Sequence, residues 1–148
     1  MSGTEMRISA YACYKNAADA IVFYTKAFGA VEQFRLAEPS GRIGHAEIKI
    51  GGSVLMMSDE YPDFGAVSAS TIGGCPITLH LYVADVDSFV DRAVKAGATL
   101  LRLVKDEFYG DRTGQIADPF GYKWMIATQR EAVTPQDMQK RWSKMLAG

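Results

Sequence analysis

Two stretches of this 148-residue sequence carry the same punctuation in the same order, and that repetition restricts the fold more than any other feature. Ile8-Ser9-Ala10-Tyr11-Ala12-Cys13-Tyr14 reads as a strand, and Asn16 stands where it caps a helix bearing Ala20, Ile21, Tyr24, Ala27 and Phe28 and closing at Gly29. Thr78-Leu79-His80-Leu81-Tyr82-Val83 reads the same way, with Asp85 as the cap and Val86, Phe89, Val90, Ala93 and Val94 as the helix stripe before Gly97. Residues 31–36 and 99–104 alternate as second strands. Two further strands then flank a turn in each copy: 44–50 and 53–57 around Gly51-Gly52, and 114–117 and 122–126 around Asp118-Pro119-Phe120-Gly121. Gly44 recurs as Gly114 and Gly51 as Gly121, one offset of 70 (114 − 44 and 121 − 51), with the first strands about one residue closer. The sequence therefore predicts an α+β chain with two βαβββ modules, over 7–60 and 76–128, within one domain spanning 1–148. Thr134, Pro135 and the Met138, Trp142, Met145 stripe place a C-terminal helix within 129–148.

Half-modules of this size are poor at burying enough apolar surface alone, so 48% hydrophobic content suits two modules sharing one domain. A net charge of −1 with no basic stripe excludes the electrostatic footprint of a nucleic-acid binder. Charges and glycines interrupt every apolar run, which predicts no membrane span, and the start lacks a basic segment followed by an apolar core; a cytoplasmic protein is expected. Cys13 and Cys75 have neither metal-ligand spacing nor the density of a disulfide framework, as expected of thiols in a reducing compartment. Residues 59–75 and 105–114 lose the periodic pattern and read as loops.

Alternation sorts each strand into two faces. Ile8, Ala10, Ala12 and Tyr14 oppose Ser9, Tyr11 and Cys13; Ala46, Ile48 and Ile50 oppose His45, Glu47 and Lys49; Ile77, Leu79, Leu81 and Val83 oppose Thr78, His80 and Tyr82. One face suits a helix. The other mixes hydroxyl, imidazole and aromatic groups, the composition of a small-molecule pocket, although each residue alone reads equally well as part of a solvated strand face. Tyr109 and Arg112 on the 105–114 loop are candidates to close such a pocket and hold an anionic group, while Asp111 and Arg112 also suit simple pairing within the loop.

The strings Ala20-Ile21-Val22-Phe23-Tyr24-Thr25-Lys26-Ala27-Phe28-Gly29, Gly44-His45-Ala46-Glu47-Ile48, Leu79-His80-Leu81-Tyr82-Val83-Ala84-Asp85 and Asp118-Pro119-Phe120-Gly121-Tyr122-Lys123-Trp124 together closely resemble the vicinal oxygen chelate superfamily. That superfamily includes glyoxalase I, extradiol dioxygenases, and fosfomycin and bleomycin resistance proteins. Phe108-Tyr109-Gly110-Asp111-Arg112 is similar to a stretch of its PhnB-like branch. The resemblance implies paired modules, a homodimer, a ligand pocket inside each cupped sheet, and a divalent metal held by His, Gln or Glu on first and last strands. Those positions fall near Ser9, Leu55, Thr78 and Met125, none of which is a competent ligand, so no metal cofactor is expected.

The expected function is small-molecule binding, with the pocket drawn from Ser9, Tyr11, His45, Glu47, Thr78, His80, Tyr82, Tyr109, Arg112 and Met125. An alternative is a lyase, isomerase or dioxygenase whose Zn, Mn, Ni or Fe is held by His45, Glu47 and His80, the residue types a divalent ion takes. A second alternative is an interaction protein docking through the C-terminal helix that carries Trp142.

Overall fold

Asn16 and Asp85 cap the helices that follow the first strand of each module through their side chains, which accept from the backbone N–H of Asp19 and Ser88. The computed structural model describes residues 5–148. They divide into two compact units that meet in sequence between Gly74 and Cys75.

In the first unit β1 (Tyr11–Tyr14) leads into α1 (Ala17–Phe28), then β2 (Val31–Ala37), β3 (Ile43–Ile50) and β4 (Ser53–Asp59). The sheet order is β1-β4-β3-β2, with β1 parallel to β4 and the other pairs antiparallel. The aliphatic face of β3 and β4 is buried at Ala46, Ile48, Ile50, Leu55 and Met57, and α1 packs on this sheet. Asp59 joins the layers: one carboxylate oxygen accepts from Ala17 N at 2.6 Å, the other from Ile43 N at 2.7 Å. Two donors that the first turn of α1 and the start of β3 would otherwise leave open are thus satisfied by one side chain. A 3₁₀ turn (Pro62–Phe64) and a short helix α2 (Ala69–Ile72) occupy the stretch that the sequence reads as structureless.

The second unit runs β5 (Thr78–Tyr82), α3 (Val86–Ala96), β6 (Thr99–Asp106), β7 (Asp111–Ala117), β8 (Lys123–Gln129) and α4 (Pro135–Ala147). Its sheet order, β5-β8-β7-β6, repeats that of the first. Thr128 replaces Asp59 as the tie: its hydroxyl accepts from Val86 N at 2.9 Å and donates to Val83 O at 2.9 Å. Asp118 holds the β7–β8 turn, accepting from Phe120 N and Tyr122 N and, inside the core, from Trp124 Nε1 at 3.0 Å. Gly114 lets neighbours close on β7, since a Cβ there would stand 2.8 Å from Val104 Cγ2.

Three expectations change. β1 begins at Tyr11, and Ile8, expected on the aliphatic face, is exposed. The 105–114 loop shrinks to 107–110, because β6 and β7 continue their antiparallel pairing to Asp106 and Arg112; charges on an exposed edge strand hid that ladder. Leu55, expected near a ligand position, is buried on the helix-covered side. The two-residue turn pairs Ile50 with Ser53, so Glu47 faces Met56, and Met56 is the open-face residue. The C-terminal helix is present but buries no residue: Trp142 is half exposed, with its ring 6.3 Å from that of Phe108. Among the described residues no helix is long and apolar enough to cross a membrane.

Candidate functional site

Strand register places Tyr11, Met56, Glu47 and Phe34 in one row across the open face of the first sheet. His45 lies two residues along β3 from Glu47 and so on the same face. Its Nε2 is 2.8 Å from Glu47 Oε2, and its Nδ1 is 2.8 Å from Tyr11 Oη. The Phe34 ring lies 5.7 Å from the imidazole on the opposite flank from β1. Tyr11 and Phe34 are 54% and 43% exposed, so these groups meet whatever approaches the sheet. Cys13, also on this side of β1, is a poor nucleophile: burial and then the charge of Glu60 raise its thiol above the usual range, with Asp59 adding to the effect.

The matching row of the second sheet is His80, Met125, Gln115 and Arg102. Thr78, His80 and Tyr82 share one side of β5, and the His80 and Tyr82 rings stand 4.8 Å apart. Tyr82 Oη reaches over β8 and donates to Asp111 Oδ2 at 2.8 Å. That hydrogen bond first, then desolvation and the carboxylate's charge, hold the phenol above its ordinary range. Thr113 donates to Glu107 Oε1 at 3.1 Å, and Arg102 approaches the same oxygen at 3.6 Å. Tyr109 stands in this polar group; burial, followed by the Glu107 charge, raises its phenol.

The predicted site residues thus separate. Tyr11, His45 and Glu47 form one bonded chain, and Thr78, His80, Tyr82 and Met125 share one face of the second sheet. Ser9 precedes β1 and is exposed. Arg112 departs from its expected role as an anion clamp. Its guanidinium is spent on Asp87 of α3, through bonds of 2.8 and 3.0 Å, and on Asp106 at 3.2 Å, on the side of β7 that faces the helix. Both carboxylates raise its pKa. Phe34 and Met56 escaped the sequence reading, although the Gly51-Gly52 turn already implied the register that exposes Met56.

The donor set does not fit the metal that the fold family implies. On the open face, first- and last-strand residues are Tyr11 and Met56 in one module, with Ser9 just ahead of β1, and Thr78, His80 and Met125 in the other, so His80 is the one imidazole among them. Among the described residues no three His, Cys, Asp or Glu side chains are grouped to hold a metal ion, and His45 and Glu47 are bonded to one another. Two open hollows are also present among the described residues. One, about 440 Å³, is lined by Lys15, Asn16, Arg42, Asp59 and Glu60; the other, about 350 Å³, by Asp106, Glu107, Asp111, Arg130 and Glu131. Asp59 and Glu60 in the first serve backbone and hydroxyl groups, so it reads as a structural crease.

Two successive βαβββ units, each a four-stranded mixed sheet with a helix laid on one face, define the class: the glyoxalase/bleomycin resistance fold. A family model described as Glyoxalase/Bleomycin resistance protein/Dioxygenase superfamily matches residues 8–126, and the chain belongs to that superfamily. It is 38% identical over 142 residues to the uncharacterized protein Rv0887c of Mycobacterium tuberculosis, covering 94% of this chain and 84% of that one. Among solved structures, protein PA1353 from Pseudomonas aeruginosa superposes with a TM-score of 0.68 at 21% identity, covering 86% of this chain and all (100%) of that one. A PhnB protein from Bacillus cereus does so at 0.64 and 16% identity, covering 83% and 99%. At such identities these two structures speak for the fold alone.

Proposed function

We propose that this protein binds a small organic molecule against the open faces of its sheets, without a metal at the first- and last-strand positions. The observation that carries the reading is the chain Tyr11–His45–Glu47, opening at exposed Tyr11 with exposed Phe34 beside it: polar groups in fixed geometry next to an aromatic wall. The test is a thermal-shift screen of small aromatic and hydroxylated compounds, with hits checked by calorimetry on wild type and Tyr11→Phe. Hits that bind both proteins equally, or an absence of hits, count against this face. Elemental analysis of protein purified without added metal tests the other half, since stoichiometric Zn, Mn, Ni or Fe contradicts it.

That same assay decides the competing reading, a metal-dependent lyase, isomerase or dioxygenase using His45, Glu47 and His80. Its support is the His45–Glu47 pair, one nitrogen and one oxygen donor side by side. A homodimer is part of the proposal. Edge strands β2 and β6 expose Val31, Leu36, Leu101 and Leu103, apolar surface of the kind a second copy covers. A monomeric mass in light scattering at micromolar concentration contradicts it. Docking of a partner protein on α4 is supported by exposed Trp142, Met145 and Leu146 and ranks below ligand binding, because nothing complementary identifies the partner. A cytoplasmic location belongs to the same reading, supported by two cysteines that form no disulfide.

A further inference from the structure

Hydrogen-bond direction along Tyr11–His45–Glu47 is fixed by chemistry. An ionised Glu47 only accepts, so His45 Nε2 must carry a proton toward it. In the neutral imidazole Nδ1 is then a lone pair, and the hydroxyl of Tyr11 donates to it. The phenol's one proton therefore points into the chain, and the oxygen's lone pairs are offered outward from a half-exposed side chain. A ligand arriving at Tyr11 meets an acceptor.

We propose that these three residues form a proton relay that deprotonates a weak O–H or N–H acid bound at Tyr11, an inference that rests on ligand binding to this face. The steps balance without a co-reactant. The ligand's X–H bond breaks as its proton joins Tyr11 Oη; the original Oη–H bond breaks as that proton joins His45 Nδ1. Tyr11 ends neutral, the ligand is an anion held by the phenol hydroxyl, and the imidazolium stands against the Glu47 carboxylate. Reversal returns the proton to the same atom or to another atom of a conjugated ligand. Phe34, 5.7 Å from the imidazole and exposed, gives such a ligand a flat apolar wall.

The duplication argues that this chain is not required for folding. By register, His80 stands where Tyr11 does, each opposite the open-face methionine, and Gln115 stands where Glu47 does. Thr113, two residues before Gln115, matches His45. The same fold closes with no relay at those positions. A directional acid–base chain that opens at exposed Tyr11 and occurs in one copy only is the arrangement expected of groups kept for chemistry and not for folding.

The test uses 4-nitrophenol, whose anion is yellow, at a pH where most of the free compound is neutral. Equilibrium dialysis gives the retained amount, and visible absorbance the ionised share. Wild type and the control Tyr61→Phe, whose hydroxyl donates to Glu38 apart from this chain, should raise the ionised-to-neutral ratio of bound probe about tenfold over free probe, a shift of about one unit in its apparent pKa. Tyr11→Phe and His45→Gln should return that ratio to the free value. Retention with an equal ratio in wild type and Tyr11→Phe overturns the relay and leaves ligand binding standing; no retention by wild type overturns both. Nitrogen NMR of the His45 ring in wild type gives a reading independent of the variants' folding, and a protonated Nδ1 in the neutral ring overturns the relay.

Discussion

Tyr11 and His45 belong to strands that are not neighbours, yet their Oη and Nδ1 atoms lie 2.8 Å apart, because the phenol spans β4. Tyr82 does the same over β8 to reach Asp111. In each module a first-strand tyrosine crosses the central strand and bonds to the third, so the open faces are laced by long side chains. The partners differ in consequence. An imidazole can take the proton that Tyr11 offers, whereas the Asp111 carboxylate keeps the proton of Tyr82 on oxygen.

Titration separates the two cases. Ionised Tyr82 would place its charge against Asp111, so its phenol resists deprotonation beyond the ordinary tyrosine value of 10.0. The difference between ultraviolet titrations of wild type and Tyr82→Phe isolates this group and should show a midpoint above 10.0. Asp111→Asn, which removes the charge, should bring it down. A midpoint in Asp111→Asn equal to that in wild type contradicts the assignment.

Asp59 and Thr128 perform one task with different chemistry. Each secures the first N–H of a helix, Asp59 that of α1 and Thr128 that of α3, but Asp59 also holds β3, through a second charged acceptor oxygen. Asp59→Ala should therefore cost about 3 kcal/mol, from two donors left without a charged acceptor, against about 1 kcal/mol for Thr128→Val. Urea unfolding of both variants measures the difference. Equal losses would mean that water replaces the Asp59 bonds freely.

How far this was legible depends on which force set each feature. Helix caps, hydrophobic faces and turn residues act locally, so Asn16, Asp85 and the Gly51-Gly52 turn announced α1, α3 and the β3–β4 hairpin. Register does not act locally where turns differ in length. Two residues separate β3 from β4 but five separate β7 from β8, so the 70-residue offset between turn glycines is not the spatial one. Glu47 and Gln115 are equivalent in space at an offset of 68 (115 − 47). The contact between Tyr11 and His45 depends on side-chain reach across a strand, which spacing along the chain does not encode. Arg112 misled for a related reason: a one-residue step along β7 moves a side chain to the helix-covered face, where Asp87 waits.

Acid should loosen the segment after β4 before the sheets. Glu60 accepts from the Thr71 hydroxyl, from Ser68 N and from Ser68 Oγ, and these bonds, in that order, lower its carboxyl from 4.5 to about 2. A carboxyl depressed in the folded state contributes stability that is full above its unfolded value and is lost as pH falls toward the folded one. The window is therefore from about 4.5 down to about 2. Protection of amides 68–73 against hydrogen exchange, referred to the intrinsic rate at each pH, should fall across that window in wild type, while Glu60→Gln should be poorly protected already at neutral pH and show no further fall. Parallel profiles for the two proteins would show that Glu60 does not hold this segment.

Gly110 closes the β6–β7 turn in a conformation that suits no other residue. Its φ is +100°, and its carbonyl accepts from both Arg130 N at 2.9 Å and Glu131 N at 3.1 Å, so the chain leaving β8 lies directly on it. A Cβ here would collide with the Glu131 carbonyl oxygen and stand 2.9 Å from Val133 Cγ2, and backbone cannot swing aside as a side chain can. Gly110→Ala should cost about 3 kcal/mol, combining left-handed strain with overpacking. Displacement of residues 130–133 should also disturb the Arg141 bonds to Phe108 O and Glu131 and the approach of Trp142 to Phe108, shifting tryptophan emission. Gly52→Ala is the control, since nothing lies within 4 Å of a Cβ there, and it should change stability by less than about 1 kcal/mol. Urea titrations followed by tryptophan fluorescence compare the two; coincident midpoints would mean that the 130–133 segment yields to the new methyl without cost.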